Sequence, residues 1–210
     1  MKKFIVTLFV FCVTMVSAQS LEFSALYGYQ FGSKLNYGPN YIKIDDSDEY
    51  GISLGFEMSN DVMAELTYIH QGTELKIRDT FTGPQEERFA DLNGDWILLG
   101  ASKYFKDGNV RPFAGGSMGL LFLAPSNENT AIVNRRLDNR TKFAFAFKAG
   151  VLIMFSQSIG IKLQGNMMFP VEWGGVYIGA GPGGVSGGTA ASSTTIIGGL
   201  SGGLVFRFGT

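Results

Sequence analysis

His70 is the only histidine in this chain of 210 residues, and histidine is the side chain best suited to move a proton near neutral pH. A nucleophile relay also needs a positioned partner, and no serine stands in a His-x-Ser arrangement with it. The run Asp45-Asp46-Ser47-Asp48-Glu49 offers carboxylates to a divalent cation but lacks the Asp-x-Asp-x-Asp-Gly order of a calcium loop. A solvated charged loop is the expectation there, as charge runs usually are. Arg135, Arg136 and Arg140 are suited to phosphate contacts, with a solvated loop as the alternative. Glycines crowd the stretch 174–188, but they precede a strand pattern rather than a helix, so they form no phosphate cradle. Trp173, Val176, Tyr177 and Ile178 within that stretch would fold over a mouth or offer a partner surface. No catalytic residue, metal site or cofactor is expected.

The N-terminus explains the missing thiol. Lys2 and Lys3 precede an apolar run over 4–13, and Val16-Ser17-Ala18 supplies small residues before Gln19, the pattern of a secretory signal cleaved after residue 18. The apolar run is shorter than the ~20 residues a spanning helix needs. Cys12, the only cysteine, lies inside it, so the mature chain, 19–210, would have no disulfide and no catalytic thiol. With Lys2 and Lys3 removed from the seventeen basic residues, fifteen face eighteen acidic ones. That balance gives no basic footprint for nucleic acid.

Elements must now be found to hold these residues, and alternation supplies them. In the stretch 195–208, Ile196, Leu200, Leu204, Phe206 and Phe208 share one face, with Gly199, Ser201, Gly203 and Arg207 on the other. The same two-faced pattern is read at 21–31, 50–58, 62–71, 95–105, 110–122, 143–153 and 159–169. In the stretch 95–105 both faces are apolar, and the phase is set by assuming that Lys103 points inward. The connections alternate long and short, with 32–49, 72–94, 124–141 and 170–194 as the long ones. The expected fold is all-β: an eight-stranded antiparallel up-and-down transmembrane β-barrel with four long extracellular loops and three short periplasmic turns.

A soluble lipocalin-like barrel shares the strand count, and the rings on the apolar face separate the two. Phe31, Tyr50, Tyr68, Trp96, Phe122, Phe143 and Phe169 fall at the long-loop ends, while Phe23, Phe56, Tyr104, Phe155, Phe206 and Phe208 fall at the short-turn ends. Two aromatic belts are what membrane interfaces select, and the opposite face lacks the charge of a soluble surface. Under this phasing Glu22, Glu57, Glu65, Lys103, Arg111, Lys148, Lys162 and Arg207 point inward, and all but Lys148 map to the periplasmic half. They are expected to form an internal ion-pair network filling a lumen too narrow for a pore, with Glu22 and Arg207 paired where the first and last strands meet. A narrow channel for small solutes is the alternative. His70 would sit outward at the extracellular interface beside Tyr68.

The signal segment, the eight amphipathic strands, Arg111-Pro112-Phe113 with Gly115-Gly116, and a last strand ending in Phe206 and Phe208 resemble the OmpA/OmpX-like outer-membrane β-barrel domains of Gram-negative bacteria, part of the porin-like barrel families. The resemblance spans the mature chain. It implies an outer-membrane location, lipid and lipopolysaccharide as surroundings, and passage through periplasmic chaperones and the barrel assembly machinery, which reads an aromatic-ended final strand. Here Gly209-Thr210 follow Phe208. The function it implies is carried by the extracellular loops, as adhesion, surface interaction or envelope integrity, with a protein partner or a larger complex at those loops. Lipid-modifying enzymes occur on this scaffold, so that reading stands third.

Overall fold

The computed structural model describes residues 20–37, 40–59, 61–78, 85–129, 137–171, 176–181, 184–189 and 196–209. The signal segment with Cys12, Arg135, Arg136, Trp173 and Thr210 lie outside them.

The strands are β1 (Leu21–Gln30), β2 (Ser33–Tyr37), β3 (Asn40–Ile44), β4 (Ser47–Ser59), β5 (Val62–Arg78), β6 (Glu87–Tyr104), β7 (Val110–Ser126), β8 (Arg140–Met154), β9 (Ile159–Val171), β10 (Val176–Gly181), β11 (Gly184–Thr189) and β12 (Ile197–Phe208). Eight of them, in the order β5-β4-β1-β12-β9-β8-β7-β6, pair antiparallel, and pairing of β6 with β5 closes the ring. The first and last barrel strands meet as expected, with Glu22 opposite Arg207 and Phe23 opposite Phe206. Among the described residues no helix is long and apolar enough to cross a membrane.

Turn chemistry sets the short connections. Asp61 adopts a left-handed φ of 61° between β4 and β5, and Gly108 a φ of 108° between β6 and β7, conformations these residue types tolerate. Between β8 and β9, Ser156 Oγ accepts hydrogen bonds from the Ser158 and Ile159 amides at 3.3 and 3.1 Å.

The opposite end is more ordered than its polar sequence suggests. β5 and β6 have 17 and 18 residues, against the ~9–11 that a tilted strand needs to cross a bilayer, so their hairpin projects past the rim. β2 and β3 pair with each other, and β3 adds to the projecting part of β5, with Tyr41 opposite Arg78 and Ile44 opposite Leu75. The stretch 32–49 is thus a hairpin followed by the start of β4, not a loop throughout. Its acidic run is divided by the strand period: Ser47 and Glu49 are buried in the lumen while Asp46 and Asp48 stay outside.

One strand turns the other way from expectation. Trp96, Leu98, Ser102 and Tyr104 of β6 are buried inside, whereas Ile97, Leu99 and Lys103 face outward. The ladder shows why: Lys103 lies opposite Val62 and Ala114, both on the outer face, and Trp96 lies opposite Ile69 and Leu121, both inside. A one-residue slip reverses every side chain of a strand. Trp96 and Tyr104 are therefore lumen residues and not interface aromatics, and Lys103 is not part of the lumen. The small residues Gly94, Gly100 and Ser102, in phase with Trp96, are the signal that the lysine obscured.

The outer surface carries the apolar band. Tyr27, Leu99, Phe147 and Leu200 are each about three-fifths exposed (58–64%), which water would penalise by roughly 25 cal/mol for every Å². Phe31, Tyr50, Tyr68 and Phe122 stand exposed toward the loop end, Phe208 toward the turn end, and Phe143, Phe169 and Phe206 are half-buried on the same outer face. Several barrel glycines answer a close approach of neighbouring backbone, Gly203 and Gly119 most sharply. A Cβ on Gly203 would lie 1.8 Å from the Ala25 carbonyl oxygen, and one on Gly119 would lie 1.9 Å from that of Ile97. Tightly curved neighbouring strands leave no room there for a side chain.

Candidate functional site

The lumen gathers the charged side chains, and its layers follow from strand order. Along β5 come Met63, then Glu65, then Ile69; along β8 from the same end come Met154, Lys148 and Ala146. One apolar layer at the turn end contains Met63, Tyr104, Phe113, Leu152, Met154 and Val205. A second, toward the loop end, is built around Ile69, Trp96, Leu98, Leu121 and Met168. The Glu65–Lys148 ion pair sits between them.

Lys162 is the centre of the network. It is 1% exposed, and its Nζ lies 2.6 Å from Glu22 Oε1 and 3.5 Å from Glu65 Oε1. Glu22 also accepts from Arg207 Nη2 at 3.1 Å and from the Tyr104 hydroxyl at 3.1 Å. Glu65 takes Lys148 and, at 2.9 Å, the Ser102 hydroxyl. The Lys162 ammonium stands 5.3 Å from the centre of the Phe113 ring, a cation–π placement. Three cations and two carboxylates share one layer of the lumen, each charge facing an opposite one, as burial requires.

The remaining residues expected in this network lie elsewhere. Glu57 accepts from the Ser20 hydroxyl at the turn end, and Arg111 Nε donates to the Gly108 carbonyl at 2.7 Å, bracing the β6–β7 turn. Lys103 is outside the barrel. Tyr104 and Ser102 join the network from the face of β6 that an inward Lys103 would turn to lipid, and Glu49, in a stretch whose composition reads as loop, is a further buried carboxylate outside the network. Glu49 is 3% exposed and accepts from Asn166 Nδ2 at 2.9 Å and from Gln30 Nε2; among the described residues it has no cationic partner. Nearby, Gln71 donates to Ser47 Oγ at 3.0 Å and Gln164 to Ser201 Oγ at 3.2 Å.

Two polar clusters decorate the loop end. On the outer face His70 Nδ1 lies 2.7 Å from Asp95 Oδ1, which also accepts from the Tyr68 hydroxyl at 2.7 Å, while the Tyr50 ring stacks 4.9 Å from the imidazole. The relay partner missing from the local sequence is thus supplied by β6, whose Asp95 pairs with His70 across the ladder. No hydroxyl or thiol nucleophile is among the partners of His70 in the described residues.

The second cluster holds the β2–β3 hairpin. Asp45 pairs with Lys43 at 2.6 Å and with Lys76. Burial pushes its carboxyl up, but the hydrogen bonds and charges of the two lysines prevail and hold it below the usual carboxylate range. Asp46 accepts from the Gly32 amide at 2.6 Å and the Tyr29 hydroxyl at 3.0 Å. These acids are therefore engaged in fastening chain to chain, with no group of three metal-ligating residues formed among the described residues.

A closed ring of eight antiparallel strands, greasy outside and charged within, decides the architecture. The chain has the fold of a small outer-membrane β-barrel. OprG of Pseudomonas aeruginosa superposes with a TM-score of 0.63 at 10% identity, covering 92% of this chain and 98% of that one. Neisserial surface protein A superposes at 0.58 with 14% identity, covering 90% and 97%. The N-terminal barrel domain of OprF from P. aeruginosa does so at 0.50 with 15% identity, covering 91% and 98%. No protein-family model and no curated protein matches the sequence. The likeness lies in the fold, and within it the barrel's own contribution is the lumen chemistry just described.

Proposed function

We propose that the protein is a closed barrel of the outer membrane that works through its extracellular loop end, in adhesion, surface interaction or envelope integrity, alone or as a subunit of a larger complex. The observation that carries this reading is the layer Glu22, Glu65, Lys148, Lys162 and Arg207, packed between two apolar layers across the lumen. Solute passage would require breaking buried ion pairs, each costing about 3–5 kcal/mol. The projecting β5–β6 hairpin and the added β2–β3 hairpin give the loop end a built surface for a partner.

Purified protein in a planar bilayer is expected to show no steady openings. Reproducible unitary conductance would replace this reading with that of a narrow channel for small solutes. Co-purification from envelopes, with the loop-end hairpins intact and then deleted, is expected to lose a partner only in the deletion. Lipid and lipopolysaccharide are the surroundings in this reading, with Arg140 at the loop-end start of β8 placed for phosphate contacts. Biogenesis through chaperones and the assembly machinery would use the aromatic end of β12, so Phe208→Ala should lower the inserted fraction. The protein is read as a non-enzyme: His70→Ala should leave the mass of lipid A unchanged.

A further inference from the structure

The loop-end half of the lumen contains a cavity of about 80 Å³. Leu92, Gly94, Trp96, Leu121, Leu123 and Ile197 form most of its wall. Three observations there go together.

Trp96 is 1% exposed, yet its indole Nε1 has no hydrogen-bond partner among the described residues. A buried donor left unmade costs about 1–3 kcal/mol, so native structures rarely keep one without a use. Gln71 and Thr73, on the polar side of the same cavity, have already committed donors, to Ser47 Oγ at 3.0 Å and to the Asp45 carbonyl at 2.6 Å. Of these three side chains, only Trp96 holds its donor in reserve.

Gly94 is the second observation. A Cβ placed there would lie 3.5 Å from Leu121 Cδ1, 3.8 Å from Leu123 Cδ2 and 3.8 Å from Trp96 Nε1. These are ordinary contacts, and Gly94 is not among the glycines with positive φ. Unlike Gly119 and Gly203, it answers no demand of the backbone. What its missing side chain does is keep open the space directly beside the unused indole N–H.

The third is depth. Below the cavity lie Leu98, Ala144 and Met168, and beyond them the ion pairs, so the cavity has a floor.

We propose that this cavity is a binding site for the end of a small apolar molecule, a single ring or a short acyl chain, that carries one hydrogen-bond acceptor for the Trp96 N–H. Lys142 is the one charged residue of the lining, so a cation among the leucines would lose its hydration without repayment. A carbonyl or ether oxygen satisfies the indole at little desolvation cost, and the apolar remainder gains roughly 25 cal/mol for each Å² it buries. The proposal stands on the cavity's wall and donor, so a conducting barrel in the bilayer experiment would leave it intact.

The test uses full-length mature protein in lipid nanodiscs, with Trp173→Phe so that the single indole N–H resonance reports Trp96. Acetophenone is titrated against ethylbenzene, which has the same shape without the carbonyl, and calorimetry is run beside empty nanodiscs. Acetophenone should give a saturable downfield shift of the Trp96 N–H, with at least about fivefold tighter binding than ethylbenzene, as one neutral hydrogen bond allows. Gly94→Ala, which fits without strain, should weaken acetophenone about tenfold by taking the space of one methyl group. Trp96→Phe, read by calorimetry, should erase the preference over ethylbenzene. Heat-modifiable gel migration checks that each variant is folded, and Gly94→Ala alone carries the test if Trp96→Phe is not. The proposal fails if the resonance does not move. It also fails if Gly94→Ala binds as wild type does or if empty nanodiscs take up the ketone equally, since the signal would then be partitioning into lipid. An indole N–H already shifted downfield without ligand, and indifferent to it, would mean that the chain's own side chains fill the site.

Discussion

The two halves of the lumen are built on the same strands and solve burial differently. Near the turns, Glu22 and Glu65 are matched by Lys148, Lys162 and Arg207, and a full apolar layer packs beneath them. Near the loops, Glu49 is held by the neutral amides of Gln30 and Asn166, the Trp96 indole is unpaired, and a cavity remains. The difference separates what closes a barrel from what leaves it receptive. Opposite charges at contact distance inside the lumen lock the strands against each other, whereas neutral donors and unfilled volume cost some stability and leave room for a guest.

The sharpest way to break that contrast is to make one substitution in each half. Glu22→Gln should cost about 3–5 kcal/mol, measured by urea unfolding from lipid vesicles, because it leaves Lys162 and Arg207 without their nearest counter-charge. Lys162→Met added to Glu22→Gln should recover part of that loss through coupling between contacting groups. Additive losses would remove Lys162 from the centre of the network.

Packing gives the next largest effect. Leu152→Ala, fully buried in the turn-end layer, should cost about 2–5 kcal/mol by opening a cavity. Gly94→Ala, which enters an existing one, should change stability by less than about 1 kcal/mol. Equal losses would mean that the loop-end half is as tightly filled as the other.

Glu49→Gln should also stay within about 1 kcal/mol, since it removes a buried charge that no cation balances while its amide neighbours can rearrange around a neutral side chain. A loss as large as that of Glu22→Gln would show an unrecognised counter-charge and collapse the distinction between the halves.

The smallest effect lies outside the membrane. The folded-state carboxyl of Asp45 is held below its ordinary value of about 3.9 by Lys43 and Lys76. Its contribution is therefore present above that ordinary value and is lost as pH falls through the lower folded value. Amide exchange in β3 should accelerate over that acid window, and Asp45→Asn should abolish the dependence. An unchanged profile in the variant would show that the hairpin is fastened by other contacts.

Much of this molecule was legible in the sequence because a barrel imposes two solvents on every strand. On β1, β5, β7, β9 and β12 the alternation alone assigned the faces, and Glu22, Glu65, Lys162 and Arg207 were read as inward on that basis. The reading failed where period-two information was absent or misleading. In β6 both faces are apolar, so a phase set by the single lysine near the strand end turns Trp96 and Tyr104 toward lipid, whereas the ladder puts both inside. Lys103 sits within reach of the membrane edge, where a long side chain can carry its ammonium to water; its charge was no evidence of a lumen position. Residues 32–49 failed differently. Polar composition suggested a loop, but the unpaired upper edge of β5 offered backbone hydrogen bonds to any strand able to reach it, and β3 took them.

The sequence by itself determined the class of fold, the eight strands of the barrel and, β6 apart, the outward band, because these depend on local periodicity repeated along the chain. Only the tertiary structure decided which way β6 faces, that Glu49 belongs inside, that His70 meets Asp95, and that Gly94 leaves a space beside an unsatisfied indole. Each of these depends on which residues of other strands stand opposite, and ladder register is a relation between strands that no single strand encodes.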